Sequence, residues 1–348
     1  MARKRRRFTA KILSEKAGIA PVTLSRLVNG LQAPDDETVD GIISALDYPR
    51  DFFFRDDIDS IDATTASFRS LKAMTARERD AALAAGELAY EMADWVGAKF
   101  NLPKADLLNL GHEPDPAAAA RTIRQHWAIG ERPIGNMVKL LETKGVRVFS
   151  LAENTRNVDA FSCWRDSEPY VFLNTFKSTE RSRFDAAHEL GHLVLHKHGG
   201  ARQGRSVEHE AHLFAASFLM PQDDVLSAVP FVTNLDQLVK MKSRWGVSVA
   251  ALAYRIHKLN LLTDWQYRTF CIRINQKYGT NEPNGLAPER SSIWQMILTE
   301  LWKEGVTKSH IAAQLAIPDD EMENLLFGLT GDVKPPSRQN GRPTLRMI

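Results

Sequence analysis

The segment Phe184-Asp185-Ala186-Ala187-His188-Glu189-Leu190-Gly191-His192-Leu193-Val194-Leu195-His196 constrains this chain more than any other stretch. It sets His-Glu-x-x-His inside an apolar, proline-free run. Ala186, Ala187, Leu190, Leu193, Val194 and Leu195 favour a helix buried on most sides. On such a helix His188 and His192 leave the same face on successive turns, so both imidazoles can bind one metal ion. Glu189, next to the first of them, can lie beside an activated water rather than on the metal, which suits a general base. A buried helix carrying two histidines and a glutamate must satisfy those polar groups, and a metal does so.

The context extends the motif. His188, His192, His196, His198, His209 and His212 fall in one short window, although the whole chain has only ten histidines. A second apolar helix with acidic residues follows, from Val207 through Glu208, Glu210, Ala211 and Phe214 to Met220 and Pro221. A catalytic zinc takes three protein ligands and keeps one open position, and the third ligand commonly comes from a neighbouring helix. Two imidazoles and a carboxylate favour Zn²⁺ over manganese or iron in a peptidase frame.

His-Glu-Leu-Gly-His, a short loop, and then Glu-x-Glu-Ala-x-x-Phe-Ala-x-x-Phe-Leu-Met-Pro resemble the ImmA/IrrE family of zinc metallopeptidases, the M78 peptidases. The resemblance implies Glu208 as third ligand, with Ala211 at the small position after it. It also implies an acid or amide at 212 that steadies a ligand histidine, where this chain has His212. A histidine accepts a ligand's N–H only in the right neutral tautomer, so this departure leaves His212 as either an outer partner or a further ligand. Glu210 is the fallback third ligand, though it points to a different helix face from Glu208.

The rest of the chain bounds the setting. With 348 residues and 43% apolar content the chain can build two or three domains with real cores. Cys163 and Cys271 are too few for a disulfide framework. No apolar run approaches a membrane span, and the basic start leads into polar sequence, so the expected location is cytoplasmic. Charge is segregated: residues 1–34 carry eight basic side chains against Glu15 alone, whereas residues 35–62 carry ten acids against Arg50 and Arg55. Positive charge confined to one end is a nucleic-acid footprint.

That end reads as short helices. Ile12 to Ile19 and Pro21 to Gly30 are joined by a turn at Gly18, a helix-turn-helix arrangement with Ala17, Ile19, Leu24 and Leu27 packing its angle. Pro21, Val22, Thr23, Ser25, Arg26 and Asn29 are left on the outer face of the second helix, where base edges are read. The basic arm from Arg3 to Arg7 is expected to add phosphate or minor-groove contacts. The Leu-Ser-Arg-Leu-Val-Asn-Gly wording resembles the Cro/CI (XRE) type.

Onward, an acidic linker leads to one long helix over Phe68 to Phe100, with further helices over Ala117 to Trp127 and Asn136 to Thr143. Val146 to Ser150 alternates as a strand, and Ala160 to Trp164 with Tyr170 to Asn174 reads as a hairpin. That hairpin is a candidate edge for holding substrate backbone beside the metal site. The expectation is a mostly α fold with a small β-sheet (α+β). Its parts are a helix-turn-helix domain at 1–62, a helical connector at 63–127, a zincin-like metallopeptidase core at 128–228, a helical C-terminal region at 229–330 and a disordered tail at 331–348. The order of the helix-turn-helix, the Phe68-Arg69-Ser70-Leu71 segment, the peptidase core and the helical C-terminal region resembles fused XRE and ImmA/IrrE proteins. That resemblance implies His188, His192 and Glu208 as zinc ligands and Glu189 as base. DNA and a protein substrate such as a repressor are the implied partners, in a candidate homodimer. The alternative is a transcriptional regulator or antitoxin-like protein whose peptidase fold is a sensor or scaffold without turnover.

Overall fold

A computed structural model describes residues 1–61, 67–68, 75–151, 160–197, 205–229 and 231–331. Residues 62–66 of the expected linker, the tail from residue 332 and His198 lie outside them. The chain runs α1 (Ala2–Arg5), α2 (Ala10–Ala17), α3 (Pro21–Val28), α4 (Asp36–Leu46), β1 (Ser67–Phe68), α5 (Ala76–Gly97), α6 (Pro116–His126), α7 (Met137–Thr143), β2 (Arg147–Ser150), β3 (Ala160–Arg165) and β4 (Glu168–Leu173). It continues through α8 (Thr179–Leu195), α9 (Arg205–Leu219), α10 (Gln222–Ala228), α11 (Leu235–Met241), α12 (Val249–Lys258), α13 (Asp264–Tyr278), α14 (Ser292–Lys303), α15 (Lys308–Gln314) and α16 (Asp319–Leu326). This is the expected α+β class.

One sheet separates two cores. Its strand order is β1-β3-β4-β2, with β2 parallel to β4 and the other pairs antiparallel. Side chains alternate across it. Val148, Ala160, Val171 and Leu173 pack with Ala186, Leu190 and Val194 of α8. Phe149, Phe161, Tyr170 and Phe172 pack on the opposite side with Leu88 and Met92 of α5 and with Trp294 and Leu325 of the C-terminal helices. Ser162 lies between Phe161 and Cys163 in β3, so the same alternation turns it toward α8.

Two sequence expectations change here. Phe68 is not in a helix: Ser67 and Phe68 pair with Ser162 and Phe161 as β1, and α5 starts only after Thr75, whose hydroxyl accepts from Glu78 N–H in a reciprocal capping box. The 160–174 hairpin forms, with Arg165 opposite Glu168, but its outer edge is shortened, because β1 pairs with β3 at Phe161 and Ser162.

The second metal helix is pinned at its C-terminal end. Buried Arg124 donates to Phe218 O and, at 2.7 Å, to Gly130 O, while Arg255 donates to Met220 O at 2.9 Å. These cations satisfy carbonyls that α9 leaves without a helical partner. Burial pulls both guanidinium pKa values down to about 10, so both remain charged at neutral pH.

At the N-terminus α2 and α3 meet at Gly18, whose φ of 68° makes the turn. Ser14 Oγ donates to Ile19 O across that turn, and Leu13, Leu24, Leu46 and Tyr48 form the small core. The expected free basic arm is instead helix α1 docked on the body. Arg5 pairs with Glu321 of α16 at 2.6 Å and donates to Ala81 O at 2.9 Å, and Arg6 pairs with Asp320. Tyr48 donates to the other Glu321 oxygen at 2.8 Å. Burial and the Glu321 charge raise the Tyr48 pKa well above its ordinary value, which keeps it the donor. Two arginines are thereby taken from the DNA-facing charge, because acidic residues more than 300 positions away fold back onto them.

The side chains of Arg5 and Glu321 are only 8% and 2% exposed. Glu321→Ala should therefore cost about 3–5 kcal/mol by stranding a buried cation, read as a lower unfolding midpoint in denaturant. Asp320→Ala removes a partner that is 53% exposed and should cost less than about 1 kcal/mol.

Candidate metal centre and nucleic-acid interface

Ser178 caps the start of α8 by accepting from Arg181 N–H, and the helix then runs unbroken through the motif. His188, Glu189 and His192 are 2%, 1% and 4% exposed, so the chemistry-bearing turn lies inside the protein. α9 crosses it closely at Gly191. A Cβ built there would stand 3.1 Å from Phe214 Cδ1 and 3.3 Å from the Ala211 backbone. Ala211 is one helical turn from Glu208, so this approach sets how near Glu208 comes to the histidines.

The three expected ligands converge. Nε2 of His188 and Nε2 of His192 are 3.1 Å apart, and the Glu208 carboxylate oxygens lie 3.2 Å from the first and 3.5 Å from the second. Zinc bonded at about 2.0–2.1 Å to tetrahedral ligands spaces them about 3.3–3.4 Å apart. The observed spacing and the two-nitrogen, one-carboxylate donor set fit that ion. Among the described residues these three form the one metal-competent group. Glu208 is 30% exposed and marks the open side of the cluster.

Glu189 lies beside the cluster and is held from the sheet: Ser162 Oγ donates to Glu189 Oε2 at 2.7 Å. Sequence reasoning missed Ser162, since only the β3 register and the burial of α8 together bring it there. Burial pushes the neighbouring Cys163 thiol up to about 12, and its side chain packs in the core on the other face of β3, 3.1 Å from Tyr90 OH. His212 is not in the metal group. Its ring stands 4.9 Å from that of Phe184 and 5.4 Å from that of Tyr254. Glu210 is also outside the group, and its Oε2 meets His196 Nε2 at 3.0 Å.

Beside the centre is a cleft of about 540 Å³ between α8, α9, α12 and α13. Phe184, His212, Tyr254, Tyr267 and Tyr278 line it. Phe184 lies one helical turn before His188, and His212 one turn after Glu208, so the cleft continues the faces that carry the ligands.

On α3, Pro21, Val22, Ser25, Arg26 and Asn29 are exposed and Thr23 is half-buried, while Leu24 is the buried anchor. Asn29 Nδ2 donates to Ser25 O at 2.8 Å, which closes the end of the helix. The outward face expected from the sequence is thus available, with Arg5 and Arg6 of the basic arm engaged by α16.

A buried helix pair bearing two histidines and a glutamate, preceded by a docked N-terminal helix-turn-helix unit, is the arrangement of a metallopeptidase-type domain joined to a helix-turn-helix domain. Residues 141–257 match the family model of the M78 peptidases, the IrrE N-terminal-like domain, and residues 1–53 match a helix-turn-helix model. The matches thus place a helix-turn-helix similarity at the N-terminus and a similarity to the M78 peptidases after it. The M78 match takes in the sheet strands β2 to β4, α8 and α9, and α10 to all but the last residue of α12. No curated protein matches the chain at a significant level of similarity.

Gly191→Ala should push α9 off α8 and lower zinc affinity tenfold or more, about 1.4 kcal/mol, in a competition titration against a chromogenic chelator. His212→Ala should leave that affinity unchanged.

Proposed function

We propose that this protein is a DNA-binding regulator whose M78 domain is a zinc endopeptidase acting on a regulatory protein such as a repressor. The observation that carries the reading is the convergence of His188, His192 and Glu208 with Glu189 beside them. Zinc in this cluster would polarise a scissile carbonyl and lower the pKa of water. Glu189 takes the proton from the attacking water and delivers it to the leaving amine. Ser162 fixes the rotamer of that carboxylate, so its proton-accepting geometry is set before substrate arrives. The aromatic cleft beside the cluster offers binding area for a peptide. His188, His192 and Glu208 would hold the ion, with the histidines buried and Glu208 half-buried at the open side.

At the other end, α3 presents Pro21, Val22, Thr23, Ser25, Arg26 and Asn29 to the major groove of an operator-type site. Arg26 is the one cation of that face. A scaffold role without turnover needs neither Glu189 in its place nor a serine holding it, which favours the enzyme.

Two experiments test this. Labelling of new protein N-termini in cells producing the wild type should reveal cleavage products that are missing with Glu189→Gln, while both proteins retain zinc. Identical N-terminal profiles from two zinc-loaded proteins would instead support the scaffold. For DNA, Arg26→Ala should weaken binding to the protein's own promoter fragment by about 1–3 kcal/mol, followed by fluorescence anisotropy. Unchanged affinity would remove α3 as the reader.

A further inference from the structure

We infer that His196 and Glu210 form a positioning relay for the metal ligand His192. The inference rests on the zinc reading of the site above. Nδ1 of His192 and Nδ1 of His196 are 3.1 Å apart, and Nε2 of His196 is 3.0 Å from Glu210 Oε2. Three groups in a line leave one consistent pattern of protons. A metal on His192 Nε2 uses that nitrogen's lone pair, so the neutral ring carries its proton on Nδ1. His196 Nδ1 lies 3.1 Å from it and receives that proton as the bare, accepting nitrogen. His196 in turn carries its proton on Nε2, where the Glu210 carboxylate accepts it.

The fold provides the line from both metal helices. His192 and His196 are one turn apart at the end of α8, and Glu210 lies two residues past the ligand Glu208 on α9. The same helix pair therefore delivers a ligand and the anchor of the partner ligand. The His212 ring lies 4.9 Å from that of Phe184 and 5.4 Å from that of Tyr254, and the relay is made by His196 and Glu210. His196 and Glu210 are 13% and 36% exposed, so the relay runs from the buried ligand to the protein surface. A carboxylate at the far end polarises His196, which strengthens its acceptance from His192 and raises the basicity of the metal-binding nitrogen.

The first test needs no variant. Long-range ¹H–¹⁵N correlation spectra of the zinc-loaded protein should show His192 bound through Nε2 with its proton on Nδ1, and His196 protonated on Nε2. His192 bound through Nδ1, or His196 protonated on Nδ1, would overturn the relay. The second test is zinc affinity by chelator competition, with circular dichroism confirming the fold. His196→Ala should bind zinc about 10–100-fold more weakly. Glu210→Gln keeps an acceptor without the charge and should lose less, and His209→Ala, an exposed neighbour, should lose nothing. Wild-type affinity in both His196→Ala and Glu210→Gln would sink the relay and leave the zinc site standing. A wild type that takes up no zinc would remove the site and the relay together.

Discussion

The close approach of α8 and α9 at Gly191 is the constraint on which the candidate centre depends. His188 and His192 come from one helix and need only its regular geometry, but Glu208 comes from the other. A side chain at 191 would meet the Ala211 backbone at 3.3 Å, so glycine is what lets the carboxylate reach both imidazoles. Everything that fixes α9 therefore bears on the metal site. Arg124 and Arg255 hold its C-terminal carbonyls, and Phe214 and Phe218 anchor it in the core shared with α6 and α8.

The sheet links this centre to the rest of the protein. Its one face supports α8, and through Ser162 it holds Glu189. Its other face builds the second core, under α5 and the C-terminal helices, to which the helix-turn-helix domain is docked. The Arg5–Glu321–Tyr48 cluster closes that contact, so the reader domain is tied to α16 by a buried, charge-assisted network.

Much of this was legible in the residues because it is local. The four-residue spacing of His188 and His192, the proline and glycine that bound α3, and the β3–β4 hairpin are short-range signals, and the structure places each where the pattern indicates. Glu208 was reached by resemblance and joins the cluster. What could not be read depends on contacts distant in sequence. Ser162 meets Glu189 only because strand alternation and helix burial coincide. The basic arm looked like a DNA contact because nothing near it in sequence reveals Asp320 and Glu321 as partners. The Ser67–Phe68 pairing, which covers part of the presumed edge strand, is too short to show in periodicity. His212 lies outside the metal-competent group, and its ring contacts with Phe184 and Tyr254 come from tertiary packing.

The central claim is a zinc ion held by His188, His192 and Glu208. X-ray absorption at the zinc edge of the reconstituted protein tests it most directly. The account predicts about one zinc per chain, with two imidazole nitrogens and oxygen ligands at about 2.0–2.2 Å, and loss of that signature in Glu208→Ala. Failure to retain zinc, sulfur ligation, or an unchanged spectrum in Glu208→Ala would contradict it.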